Sequence, residues 1–224
     1  HLGRKNELAL ESMGEFTEEM SSWITGLPEV GYGRSREMLD ELDIPKLTGN
    51  DVGIRLVDLK AYSDLNIFGG THAGAGEGRS GGVFINIYKT IKTDPDNIYL
   101  AISSDIDEST LVHELAHALD YLGGSRLIPG TQEPLSLELG VPVEHLEHPE
   151  EFGRWLVYLA KEFNVTLDAD DRIIAYLYEH GMLLNGEAIT SENDLVIKSG
   201  SEKIFRFLSQ HGPEIDRLIR GLGG

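Results

Sequence analysis

The chain contains no cysteine. Disulfides, thiolate metal sites and cysteine nucleophiles are therefore excluded, and any metal must be held by His, Asp or Glu. Long hydrophobic runs are missing too: no stretch approaches the ~18 uninterrupted apolar residues of a membrane helix. Basic residues are few. There are 19 Lys and Arg against 38 Asp and Glu, a formal net charge of −19. A phosphate-tracking surface needs clustered Lys and Arg, so no nucleic-acid partner is expected. Nor is there a repeat of the ~20–50 residues that marks a solenoid. What remains is an ordinary globular composition, 40% hydrophobic and 25% charged, in 224 residues. That suits a single domain in two lobes with its own core. The expected protein is soluble, of bacterial type, secreted or cytoplasmic, without membrane association.

Patterning along the chain predicts helices early and late, with strands between. Residues 6–25 recur at helical spacing and 34–43 form a shorter helix stopped by Pro45. Residues 53–60, 83–88 and 98–103 read as strands. The segment 69–82 holds seven glycines and reads as a loop. It lacks the Lys of a phosphate-binding loop, and a strand rather than a helix follows it. A helix begins near Asp107, a suitable N-cap, and stops at Gly123-Gly124. Residues 125–148, broken by Pro129, Pro134 and Pro142, read as a connection. Helices follow at about 149–163, 169–180 and 201–220, with Asp168–Asp171 a helix start rather than a calcium loop. The fold class is α+β. The N-terminal lobe, about 1–122, carries the sheet and a helical extension over 1–45. The C-terminal lobe, about 123–224, is mainly helical.

The chemistry is concentrated in His113-Glu114-Leu115-Ala116-His117, an H-E-x-x-H motif. Residues four apart on a helix stand one above the other, so both imidazoles reach one ion. Glu114 is turned ~100° from His113, beside the metal but outside its coordination. From there it can take a proton from a metal-bound water. Leu111, Leu115, Ala118, Leu119 and Leu122 give the helix an apolar face, opposite a stripe of His113, His117 and Asp120. A structural zinc is usually closed by four ligands, often cysteines. With none available, an open catalytic Zn2+ site is the expectation, and Asp120 is placed to support a ligand from behind.

The third ligand is less directly written. The metzincin extension fails, because Asp120 and Gly123 stand where its Gly and His would be. The downstream segment 144–152 offers Glu151, which lies in line with Trp155 and Leu159 beside the buried face of its helix. Glu150 lines up with Arg154 and Lys161 and faces water. Glu151 is favoured; His148, His145, Glu147, Glu150 and Glu144 are the alternatives.

The run Leu111 to Asp120 resembles the active-site helix of zincin metallopeptidases. More narrowly, His-Glu-x-x-His-Ala-x-Asp is similar to the glutamate zincins of the lethal factor and clostridial Pro-Pro endopeptidase type. Asp94 to Leu100, Glu151-Phe152 and Ser201 to Phe207 resemble the turn and edge strand, the ligand helix and the closing helix of that group. The resemblance implies a zincin-like fold and a zinc endopeptidase acting on a peptide or protein substrate. It implies His113, His117 and Glu151 as ligands and Glu114 as general base. It also implies an edge strand at Ile98 to Ser103, where Ala101 and Ser103 would pair with substrate. The group places a catalytic Tyr about two turns before the ligand Glu, and Glu144 stands there instead. His145, His148, Tyr121 and Tyr158 are the available replacements. The second reading is a zincin-like module, within a larger toxin-like or phage-associated protein, that binds or regulates a partner without proteolysis.

Overall fold

The computed structural model describes residues 16–67, 81–85, 91–127, 129–191 and 193–221. They fall into two compact units, one within Leu10–Gly123 and one within Gly124–Gly224. The glycine-rich stretch 69–80, with His72, lies outside the described residues, as do residues 6–15 of the expected first helix.

In the first unit, helix α1 (Glu18–Thr25) starts where the Thr17 hydroxyl accepts the Met20 amide at 3.1 Å. Helices α2 (Ser35–Glu41) and α3 (Ile44–Thr48) follow. Pro45 does not merely stop a helix. It stands in the first turn of α3, where its missing N–H would be unpaired anyway, and Asp43 caps the turn through the Lys46 amide. Strand β1 (Gly53–Asp58) ends sooner than its apolar pattern suggests. The Asp58 carboxylate accepts the Ala61 amide at 2.8 Å and opens helix α4 (Leu59–Asp64), so Leu59 belongs to a helix and not to the strand.

Strands β2 (Gly82–Phe84) and β3 (Asn97–Ile102) complete a three-stranded sheet of order β1-β3-β2. β3 runs parallel to β1 and antiparallel to β2. It is therefore the central strand, not the expected edge. This overturns the substrate-pairing role given to Ala101 and Ser103. Ala101 is paired with Val57 on one side and Val83 on the other, and the Ser103 amide donates to the Gly81 carbonyl at 3.0 Å. The continuous burial of Tyr99 to Ile102 shows that both faces of β3 are covered.

Opposite Tyr99 on β1 is Arg55. The buried Tyr99 hydroxyl donates to Asp94 Oδ2 at 2.5 Å and accepts from Arg55 Nη1 at 2.8 Å. Burial, then the hydrogen bond to Asp94, push this phenol up to about 12.

Helix α5 (Glu108–Leu122) carries the H-E-x-x-H motif and begins as expected, with Asp107 accepting the Thr110 amide at 2.7 Å. It packs against β2 and α3. Its apolar residues Leu111, Leu115, Ala118 and Leu119 are all buried.

The second unit is helical among its described residues. The expected connection 125–148 contains helices α6 (Glu133–Leu139) and α7 (Val143–Glu147). Two of the prolines read as breaks are helix starts: Pro134 lies in the first turn of α6 and Pro142 caps α7. Helices α8 (Glu150–Glu162), α9 (Ala169–Glu179) and α10 (Gly186–Thr190) follow. The expected closing helix begins earlier, as α11 (Asp194–Gln210), because Asn193 caps it through the Val196 amide. It then breaks at Gly212-Pro213 into α12 (Gly212–Arg220).

α8 packs on α9 through Gly153. A Cβ there would lie 2.6 Å from Leu183 Cδ1 and 2.9 Å from Tyr178 Cβ, so only glycine permits this approach. The architecture is α+β: a small mixed sheet and many helices. No described helix is long and apolar enough to cross a membrane.

Candidate metal centre

The motif helix does what the four-residue spacing dictates. Nε2 of His113 and Nε2 of His117 stand 3.2 Å apart, with ring centroids 4.8 Å apart and planes at 74°. His117 is buried and His113 half-buried. Two neighbouring nitrogens on one face are a chelating pair in waiting, fixed by helix geometry alone.

Glu114 follows His113 and is half-buried. Strand β2 crosses the helix at this point. A Cβ on Gly82 would come within 2.9 Å of Glu114 Cγ. Gly82 therefore gives the Glu114 side chain its room, in a place where any other residue would press on it. Phe84, two residues on, meets Tyr121 edge-to-face at 5.3 Å and fastens the same strand to α5.

Asp120 is buried, so it is not a solvated aspartate. An ionised carboxylate is kept out of water only with partners.

The segment after α6 supplies the other residues considered as ligands. His148 is buried at the C-terminal end of α7. Its Nδ1 lies 3.1 Å from the Glu144 carbonyl oxygen and 3.2 Å from Glu144 Oε2. Glu147 is tied elsewhere: its Oε1 accepts the Gly130 amide at 2.9 Å. Burial pushes the Glu147 carboxyl above its usual range, partly offset by that hydrogen bond. His145 shares 2.8 Å with Ser201 Oγ and leans on the Phe205 ring, and burial lowers its pKa. Glu150 is exposed.

Among the described residues one group could hold a metal ion: His113, His117 and His148, whose ligand atoms all lie within 4.8 Å of one another. Glu151, favoured as the third ligand, is not in that group. Its Oε2 accepts the Gly186 amide at 2.9 Å. The helical-face argument placed Glu151 beside the buried side of α8, and there it lies. Yet that side is filled by the start of α10, close enough that a Cβ on Gly186 would sit 3.1 Å from Glu151 Oε2. His148 ends α7 immediately before Pro149, whose backbone is extended at φ −71°, ψ 173°. Its position is thus set by a turn between helices, which helical periodicity does not describe. The signal that could have selected it is the Glu144–His148 spacing of four residues, the same spacing that marks the motif itself.

Of the residues considered for oxyanion stabilisation, Tyr158 is exposed and stands edge-on to Trp155, and Tyr121 is engaged with Phe84. No protein-family model, curated protein or solved structure matches the chain.

Proposed function

We propose that the chain is a zinc-dependent endopeptidase of zincin-like fold, with zinc held by His113 and His117 and with Glu114 as general base. The observation that carries this reading is the pair of facing histidine nitrogens on one helix, with a glutamate directly following the first. The donor set suits the ion. Two nitrogens at ~2.0–2.1 Å from a tetrahedral zinc stand about 3.3 Å apart, and Nε2 of His113 and His117 are 3.2 Å apart. A catalytic zinc keeps one position open for water or substrate.

Bound there, zinc would supply a water of pKa about 7 and a polarised scissile carbonyl. Glu114 would hold the proton released by the attacking water and pass it to the leaving amine, so the peptide bond would be hydrolysed without a covalent intermediate. β2 supports a peptide substrate. Ser103 donates to the Gly81 carbonyl, so Gly81 and Val83 turn their main-chain groups toward β3. Gly82 and Phe84 turn theirs the other way, where no described strand pairs with them. An extended peptide added along that side would pass beside Glu114.

A zinc-binding module without proteolysis is the second reading. It is favoured by Glu144, which the resemblance would replace with a catalytic Tyr and whose carboxylate instead meets His148.

The test is metal analysis followed by digestion of a peptide library with the native chain and with Glu114→Gln. The peptidase reading expects one zinc per chain and cleavage that Glu114→Gln abolishes. Zinc without cleavage supports the module, and absence of zinc at neutral pH refutes both. His113→Ala and His117→Ala should each lose zinc while Glu151→Ala retains it; zinc retained by either histidine variant refutes the motif as the ligand pair.

A further inference from the structure

We infer that the cleft between strand β1 and helices α2 and α3 is a docking groove for an extended peptide segment bearing lysine or arginine, an inference independent of the zinc reading above. The cleft has a volume of about 530 Å³, within the ~300–1,000 Å³ of ligand pockets. Its floor is an edge of the sheet. The Gly53 amide donates to the Asp96 carbonyl at 2.9 Å, so Gly53, Arg55 and Val57 turn their main-chain groups toward β3. Ile54, Leu56 and Asp58 turn theirs outward. The chain itself shows what that outer edge accepts. Residues 28–30 run antiparallel beside it, with the Val30 amide donating to the Leu56 carbonyl at 2.8 Å and the Asp58 amide to the Pro28 carbonyl at 3.2 Å. This short ladder ends at Val30. Ile54, the next outward position, has no main-chain partner among the described residues, and it lines the cleft.

The walls meet both kinds of side chain that an alternating strand presents. Leu39, Leu42, Val52 and Ile54 are half-buried and apolar. Asp40, Glu41, Asp43 and Asp51 are exposed acids. Arg36 is the one base in the lining, and it is already held by Glu29 at 3.3 Å and Asp40 at 3.2 Å. Asp43 uses Oδ1 to cap α3. Glu41 and Asp51 make no hydrogen bond or ion pair among the described residues. An acidic rim beside an open strand edge repels acidic chains, further copies of this chain with its net charge of −19 included. It attracts a cationic segment, whose main chain would pair with Ile54 while apolar residues between the cations meet the leucines. β2 forms the opposite edge of the sheet, so a segment held on β1 does not compete for the edge beside Glu114.

The test titrates the full chain with labelled acetyl-Lys-Val-Lys-Val-Lys-amide, read by fluorescence polarisation and by the NMR shift of the Ile54 amide. Binding should saturate and move that amide, and the matching Glu-Val peptide should not bind. The basic peptide with N-methyl groups on two neighbouring amides, one of which must face β1, should bind about 5-fold more weakly or worse, the loss of one main-chain hydrogen bond. Glu41→Gln combined with Asp51→Asn should weaken binding by about 2–10-fold, the scale of two exposed ion pairs. Glu18→Gln combined with Glu19→Gln removes the same charge from exposed positions on α1 outside the cleft and should bind as the native chain does. The inference is overturned if the basic peptide leaves the Ile54 amide unmoved, or if the acidic or N-methylated peptide binds as tightly. It is overturned equally if the α1 variant loses as much affinity as the cleft variant, because attraction to overall charge then explains the binding.

Discussion

Gly82→Ala isolates the geometry of the general base from the metal. The added Cβ would lie 2.9 Å from Glu114 Cγ, where ordinary contact begins at 3.4 Å. The other neighbours, Ile106 Cδ1 at 3.6 Å and the Ala101 carbonyl at 3.7 Å, already stand at contact distance and need not move. The strain therefore falls on Glu114, which must shift by about 0.5–1 Å. A misplacement of that size costs up to ~100-fold in rate, so kcat of the proposed hydrolysis should fall by roughly 10–100-fold. Stability should change little, since alanine gains ~0.5–1 kcal/mol over glycine within a strand and the clash takes back a similar amount. Zinc content should remain at the native value, because His113 and His117 are set by α5 and not by β2. The assay is peptide hydrolysis at saturating substrate, with zinc content and Tm measured on the same sample. Gly212→Ala is the control, since nothing lies within 4 Å of its Cβ. Full activity in Gly82→Ala would refute the claim that this close approach governs Glu114. Loss of zinc would show that β2 positions the whole motif helix.

Two predictions concern the scaffold. Tyr99→Phe removes the hydroxyl that joins Asp94 and Arg55; hydrogen bonds to charged groups contribute ~1.5–3 kcal/mol each. Asp94 keeps its Asn97 contacts at 3.0 and 3.1 Å. A net loss of about 2 kcal/mol by urea denaturation is expected on that scale, and a loss below ~0.5 kcal/mol would show the network to be idle. For His145, burial depresses the folded pKa, so below the unfolded value of ~6.5 the unfolded chain binds a proton that the native one resists. Its contribution is complete above that pH and is lost as pH falls through the folded value. The Tm of the native chain should fall more steeply between pH 7.5 and 5.5 than that of His145→Asn, and equal slopes would exclude His145 as the source.

The second unit shows how a sequence pattern can be right in kind and wrong in place. The α8 face analysis correctly put Glu151 beside the buried side of the helix, yet what fills that side is the glycine that opens a distant helix. Two of the three prolines of 125–148 marked real boundaries, but those boundaries open short helices instead of interrupting a loop. On the sheet, residues 98–103 were legible as a strand. Its place in the strand order was not, because pairing depends on β1 and β2, which lie far away in sequence.

What the sequence alone determined is whatever a single helix or cap can encode. It set the α+β pattern, the Asp107 start of the motif helix, and the pair His113 and His117 with Glu114 beside them. Those follow from a 3.6-residue period, which holds regardless of what the helix meets. Only the tertiary structure decided that β3 is central, that Gly82 makes room for Glu114, and that Glu151 caps another helix. Each of these depends on which distant segment arrives first at a given face, and that is a property of packing which no local period contains.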